Sequence, residues 1–290
     1  MALPNNNNPL AFLIVTYKEK YWECKSFLSL LYSYKQQDDR KYPLSIVVID
    51  NTEEEMPLDH PIFQENISVR YYSYGQNMGV SKAYNKGVGL LRGQVDKVVF
   101  LDQDTNLPID FYDRYLEVIL SINPLVACPL IYANNNLVSP IKFKNYRPIK
   151  HINDNKGDWA HKKIDFENHS IINSGLMVDI RLFDEIGGYN ENLFLDFCDH
   201  DFIQRMKSQI ASFVLINVVI QQDLSSYTDN KERALKRYHF YLRDRRVFFL
   251  NKDYWKSFLY VDLPHLLKLT YKFKSFSFLK AYLFDKFFKR

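Results

Sequence analysis

Cysteine is scarce in this 290-residue chain: Cys24, Cys128 and Cys198 lie far apart and form no CxxC pair. That leaves no disulfide framework and fits a reducing cytosol. Long apolar runs are missing too. No window approaches the roughly 20 apolar residues a bilayer-spanning helix needs. The opening MALPNNNNPL has neither a basic n-region nor an apolar h-region, so it does not read as a signal peptide. A soluble chain, or one lying on a membrane surface, is expected. No GxGxxG follows the first apolar run and no GxxxxGK[ST] occurs, which disfavours a Rossmann dehydrogenase and a P-loop. A basic stripe across the whole chain is also absent, so no nucleic-acid partner is expected. The net charge of +4 is unevenly placed: residues 252–290 hold nine Lys/Arg against three Asp, a balance of +6, leaving −2 for residues 1–251.

What is present is a 47% apolar content, enough for one large domain or one domain with a C-terminal appendage. Apolar runs alternate with helical patterns. Strands are expected at Ala11–Tyr17, Leu44–Asp50, Val69–Tyr74 and Lys97–Leu101, with helices over about 20–37, 80–91 and 111–122. Ile14-Val15 and Val47-Val48-Ile49 are apolar on both faces, as buried parallel strands are. This order predicts an α/β, doubly wound parallel sheet. Residues 133–168, rich in Asn, Lys and His, read as a long irregular loop. Regularity returns at Ile171, continues through Leu215–Ile220, and becomes helical from about 231.

Five clusters have the composition of a site. Asp102-Gln103-Asp104 ends the fourth strand, at the edge where open α/β sheets hold ligands. In an extended segment its two carboxylates point the same way, towards one cation or one diphosphate-ribose unit. Asp-x-Asp alone is common in turns. Val15-Thr16-Tyr17 and Asp50-Asn51-Thr52 close strands one and two, as a nucleoside cradle or as an ordinary Asx-turn. Gly75 to Gly87 carries Asn77 ahead of a helix and Lys82 one turn inside it, an arrangement suited to an anion or to plain helix capping. Asn173-Ser174-Gly175 puts a glycine in an apolar strand, a sign of close backbone approach. Asp196, Asp199, His200 and Asp201 crowd a helix start. One acid there suits the helix dipole, while three raise one another's proton affinity and favour a general base.

Taken in order, Ile14–Tyr17, Val48–Asn51, Asn77–Gly87, Leu101–Asp104, Asn173–Gly175 and Cys198–Asp201 resemble the inverting glycosyltransferases of family 2 over roughly residues 10–250. Phe100–Thr105 and Tyr241-Leu-Arg-Asp-Arg-Arg246 look most like the bacterial rhamnosyltransferase branch. The resemblance implies a GT-A nucleotide-diphospho-sugar transferase fold, with a mostly parallel central sheet, flanking helices and a helical C-terminal extension. A catalytic domain would occupy 1–230 and the extension 231–290. The resemblance implies that Thr16, Tyr17, Asp50, Asn51, Asn77, Lys82, Asp102, Gln103, Asn173, Ser174 and Gly175 bind the nucleotide-sugar. Asp102 and Asp104 would hold a divalent cation (Mg2+ or Mn2+), with Asp104 the preferred contact, and Asp199 would be the general base. Many relatives place a histidine after the last core strand; here Gln222 falls there, with Asp223 as the alternative ligand.

The function implied is transfer of a sugar to a lipid-linked glycan acceptor. The first expectation is L-rhamnose from dTDP-rhamnose, and the second a UDP-hexose or galactofuranose donor. A catalytically silent nucleotide-sugar binder or scaffold is the reading of another class, supported by Gln222. The basic, aromatic tail suits a peripheral element on the inner face of the cell membrane, or aromatics packed back on the core with lysines facing water.

Overall fold

A computed structural model describes residues 8–36, 41–54, 61, 63, 66–144, 147–149, 162–167, 169–222 and 230–288. Its strands are β1 (Asn8–Thr16), β2 (Leu44–Asp50), β3 (Ile67–Ser73), β4 (Val95–Asp102), β5 (Val126–Ala133), β6 (Asn136–Ser139), β7 (Ile141–Lys144), β8 (Arg147–Ile149), β9 (Lys163–Asp165), β10 (His169–Ser170), β11 (Met177–Asp179) and β12 (Ser212–Gln221). The helices are α1 (Lys25–Tyr34), α2 (Val80–Leu91), α3 (Phe111–Ser121), α4 (Ile180–Ile186), α5 (Cys198–Met206), α6 (Lys231–Phe248), α7 (Tyr254–Ser257), α8 (Leu263–Phe273) and α9 (Ser277–Phe288).

The main sheet runs β3-β2-β1-β4-β11-β5-β12-β9, with β6 also paired to β5. Pairs β1–β2, β2–β3, β1–β4 and β5–β12 are parallel, whereas β11 lies antiparallel between β4 and β5. The sheet is therefore mixed rather than wholly parallel. Strand parity explains its two cores. Ala11, Leu13, Val15, Val98 and Phe100 face the layer shared with α2, α4 and α5. Phe12, Ile14, Val99 and Leu101 face the layer shared with α1 and α3. Gly87 of α2 sits so close to β1 that an added Cβ would lie 2.2 Å from Leu13.

The segment expected to be irregular is partly ordered as short strands. Asn134 and Asn135, at φ 49° and 61°, form the left-handed pair that turns β5 into β6. β7 and β8 join β10 in a separate antiparallel sheet, and β9 pairs with β12. Strands of three or four residues are too short to show an alternation in sequence. The helical pattern expected from about 231 is interrupted after α6 and resumes as α7, a π-helical turn at Phe258–Asp262, and α8. Pro264, which lacks an N–H to give the turn before it, opens α8 and accounts for the widened turn. In the extension, Leu266, Phe278, Ala281 and Tyr282 bury against Tyr238, Tyr241 and Leu242 of α6. Trp255 and Tyr271 stay 69% and 87% exposed.

Candidate active site

Strand register brings the polar clusters to one edge. Thr16 is opposite Asp50, Val15 opposite Asp102, and Asp50 opposite Ser73. Because β11 is antiparallel, the residues entering it lie beside the end of β4; the Gly175 amide donates to the Phe100 carbonyl at 2.8 Å. Gly175 has φ +80°, and an added Cβ would meet Pro129 at 2.7 Å and the Tyr115 hydroxyl at 2.9 Å. The close approach inferred from the sequence is thus made by side chains of the protein's own core. β12 delivers Gln221 and Gln222 to the same edge through a bridge between Gln221 and Asn106.

Asp102 occupies the floor of this edge. Its Oδ1 accepts from the hydroxyl of fully buried Tyr84 at 3.1 Å, and its Oδ2 from the Ser174 hydroxyl. Gln222 Nε2 donates to Ser174 Oγ at 3.0 Å. Crowding by protein raises the Asp102 carboxyl above the ordinary range; the bonds from Ser174 and Tyr84 oppose the rise and the Asp199 carboxylate adds to it. Asp104 does not continue the extended line, because the chain turns at Gln103. It lines a cleft of about 450 Å³ with Lys25, Asn106, Asn134, Gln221 and Gln222. Burial and the Asp102 charge push the Asp104 carboxyl up, and nearby Lys25 pulls it back.

Among the described residues, no cluster of three or more His, Cys, Asp or Glu side chains is set to hold a metal. Hard oxygen donors are nevertheless present. Gln222 Oε1 is buried without a hydrogen-bond partner, and Gln222 lines the cleft that holds Asp104. A carboxylate with a free amide oxygen fits Mg2+ or Mn2+, whose remaining ligands are commonly water and substrate phosphate. Asp223 lies outside the described residues.

The other expected residues divide. Asp50 is buried and braced: Oδ1 accepts from the Thr52 amide (2.9 Å) and hydroxyl (2.6 Å), and Oδ2 from the Tyr71 hydroxyl (2.7 Å). Three of its roughly four acceptor positions are used, so Asp50 holds the turn whatever else it reads. Thr16 Oγ1 and Asn51 Oδ1, both buried, lack partners at this edge. Gln103 clamps strand ends: Oε1 accepts from the Tyr17 amide at 2.6 Å and Nε2 donates to the Tyr17 carbonyl at 3.3 Å. The Tyr17 hydroxyl donates to Glu53. Asn77 makes an Asx turn to the Gly79 amide, and Asn173 accepts from the Tyr189 hydroxyl at 2.7 Å. Lys82 is not brought to the cleft of Asp104. It lines a second cleft of about 610 Å³ with Asn85, Lys86 and Glu191, between α2 and α4.

The three crowded acids are not equivalent. Arg237 forks onto Asp196, and Arg205 pairs with Asp201 at 2.8 Å. The Asp196 carboxyl is raised chiefly by burial, against the pull of Arg237. Asp199, in the first turn of α5, accepts from the His200 amide, and among the described residues no Lys or Arg side chain forms an ion pair with it. Its charge contributes to the raised Asp102 carboxyl. Sequence reasoning gave no role to Tyr84, Tyr71, Tyr189 or Lys25; only the fold brings the tyrosine hydroxyls to Asp102, Asp50 and Asn173.

A family model described as Glycosyl transferase family 2 matches residues 12–176, more than half of the chain. The chain belongs to that family. It is 26% identical over 204 residues to dTDP-rhamnosyl transferase RfbF of Shigella flexneri, a match covering 69% of this chain and 63% of the relative. It therefore spans less than two thirds of that relative's length. Among solved structures it is similar to GalNAc-T7 with UDP, GalNAc and Mn2+ (TM-score 0.61, 16% identity, 97% of this chain and 58% of the other). It is also similar to S. aureus TarS 1–349 with UDP (TM-score 0.52, 15% identity, 87% and 70%), and to the same protein with UDP-GlcNAc (TM-score 0.51, 14% identity, 91% and 73%). At these identities the likeness establishes the fold, which is GT-A.

Proposed function

We propose that this chain is an inverting glycosyltransferase with a nucleotide-sugar donor, using Asp199 as general base on the acceptor hydroxyl. The observation that carries the reading is the asymmetry of the acids around the start of α5: arginines neutralise Asp196 and Asp201, whereas among the described residues no Lys or Arg pairs with Asp199, whose charge helps raise the Asp102 carboxyl. In a single displacement, Asp199 takes the proton of the acceptor hydroxyl while that oxygen forms the new bond to the anomeric carbon. The bond from that carbon to the diphosphate oxygen breaks, and the nucleoside diphosphate leaves with the electron pair. Asp104 and the free oxygen of Gln222 would hold a divalent cation, with Asp102 beneath them. When bound, such a cation offsets the charge of the departing diphosphate. Lys25 supplies a further positive charge at the same cleft.

The donor read first is dTDP-rhamnose, in line with the RfbF relative. A UDP-sugar is the second reading, favoured by neighbours crystallised with UDP and UDP-GlcNAc. The acceptor is a lipid-linked cell-surface glycan, met at the inner face of the membrane. Among the described residues no helix is long and apolar enough to cross a bilayer. The outward face of the extension suits an anionic surface, with Trp255, Leu267, Tyr271 and Phe276 exposed among lysines. The three acids after residue 250 are paired, Asp253 with Lys256, Asp262 with Arg245 and Asp285 with Arg246.

A donor panel tests the assignment. A nucleotide held at a hundredfold excess over its Kd stabilises the fold by about 2.7 kcal/mol. Melting with dTDP, UDP and GDP, with and without Mn2+, should show one uracil or thymine nucleotide raising Tm by several degrees, more so with the cation. No shift by any of them at millimolar concentration overturns the donor reading.

A further inference from the structure

The loop that delivers Asp199 is held by the C-terminal helix α6 rather than by the sheet. Asp244 of α6 is wholly buried, and its carboxylate accepts from three successive backbone amides: Phe194 (2.9 Å), Leu195 (2.7 Å) and Asp196 (2.8 Å). Its neighbours Arg245 and Arg246 are engaged with Asp262 and Asp285. The negative charge is therefore met by N–H dipoles rather than by either neighbouring guanidinium. Two turns earlier on α6, Arg237 forks onto Asp196. The Phe194 ring stacks on Phe240 at 5.0 Å, and Phe197 stacks on Phe248 at 5.0 Å. Phe197 is left-handed, φ 62° and ψ 0°, an uncommon conformation for a bulky residue and one that persists only where the surroundings fix it. α5 begins at the next residue, with Asp199 in its first turn.

The same loop is fixed on its other side. The Phe194 carbonyl accepts from the Val80 amide at 2.7 Å, where Gly79 leaves room that a Cβ would fill at 2.6 Å. The Gly79 carbonyl in turn accepts from Asn51 at the end of β2. Hydrogen bonds thus run from α6 through the base-bearing loop to the nucleoside edge.

We propose that Asp244 is a positioning residue for the reaction, holding residues 194–196 so that α5 starts in the register that sets Asp199 for the acceptor. This rests on the reading of Asp199 as the base. Displacing a catalytic group by a fraction of an ångström lowers turnover steeply while substrate binding survives. The carboxylate needs both oxygens for its three donors, and an amide has only one acceptor oxygen.

The test is Asp244→Asn in the full chain, with Arg237→Gln as a second, surface-accessible variant and Asp199→Asn as the control. Two quantities are read: nucleoside diphosphate released from dTDP-rhamnose or UDP-GlcNAc as the sugar passes to water, and hydrogen exchange of the peptide spanning 194–199. Asp244→Asn should lower kcat at least tenfold with donor KM within about twofold, and should speed exchange in that peptide while β1, β2 and β4 keep their protection. Arg237→Gln should move both quantities in the same direction. Unchanged exchange at 194–199 overturns the proposal even if no donor is turned over. Faster exchange with unchanged kcat overturns it as well. If Asp244→Asn loses protection throughout, Arg237→Gln decides: unchanged kcat there sinks the idea. Full activity in Asp199→Asn, by contrast, removes the base itself and is a failure of the functional reading.

Discussion

Removing one hydroxyl from Tyr84 isolates the hydrogen bonding beneath the candidate cation site. Tyr84→Phe keeps the ring, its edge-on contact with Phe100 (4.8 Å) and its packing against Tyr189 (5.2 Å). It deletes only the donor to Asp102 Oδ1. A hydrogen bond to a charged group contributes about 1.5–3 kcal/mol. Asp102 is only partly buried and keeps Ser174, so the loss should sit near the lower end, about 1–2 kcal/mol. For a chain of this size that is a Tm decrease of roughly 2–3 °C. Urea denaturation of Tyr84→Phe, Asp102→Ala and the double variant measures it as a cycle. With Asp102 removed, the Tyr84 hydroxyl has lost its acceptor, and its deletion should be neutral or stabilising. If Tyr84→Phe costs as much in the Asp102→Ala background as in the wild type, the stability belongs to the ring and not to the bond, and the account of this floor is wrong.

Burial holds the His265 imidazole down at about 4, edge-on to Tyr241 at 4.4 Å. Between about pH 6.5 and 4 the unfolded chain binds the extra proton, so this group lowers stability as pH falls, by up to about 3 kcal/mol. His265→Phe should remove that slope; urea midpoints at pH 7 and 5 that shift equally in both proteins would refute it. Gly175→Ala must accept both φ +80° and a 2.7 Å contact with Pro129, so it should lose about 2–4 kcal/mol. A melting temperature within a degree of wild type contradicts the packing described. Exposed Trp255 and Tyr271 should carry membrane contact: replacing both with serine should abolish cosedimentation with phosphatidylglycerol vesicles, and undiminished binding would place the contact elsewhere.

The strands that build the site were legible because they are apolar on both faces. Leu10–Val15 and Ile46–Ile49 are buried throughout, and the polar residues Thr16 and Asp50 follow them directly. The antiparallel position of β11 was not legible, since three residues carry no direction. Asn134-Asn135 did hold a readable turn signal inside a segment that composition alone made look irregular. Side-chain roles were harder. Gln103 read as a ligand-facing neighbour of two acids, yet its amide is spent on the Tyr17 backbone. The three acids near α5 read as a cluster, but Arg237 lies 41 residues from Asp196 and cannot be matched to it without the fold. Asp244 sits among arginines in Tyr241–Arg246 and reads as part of a charged helix face; its partners are about fifty residues away.

We propose that Asp199 deprotonates the acceptor beside the sheet edge that carries Asp102 and Asp104. Turnover and nucleotide binding of Asp199→Asn, measured on the same preparation, test it most directly. Loss of about a hundredfold to ten-thousandfold in kcat is expected, with dTDP or UDP bound as tightly as by the wild type. Turnover within tenfold of wild type, with binding intact, would assign the proton to another group.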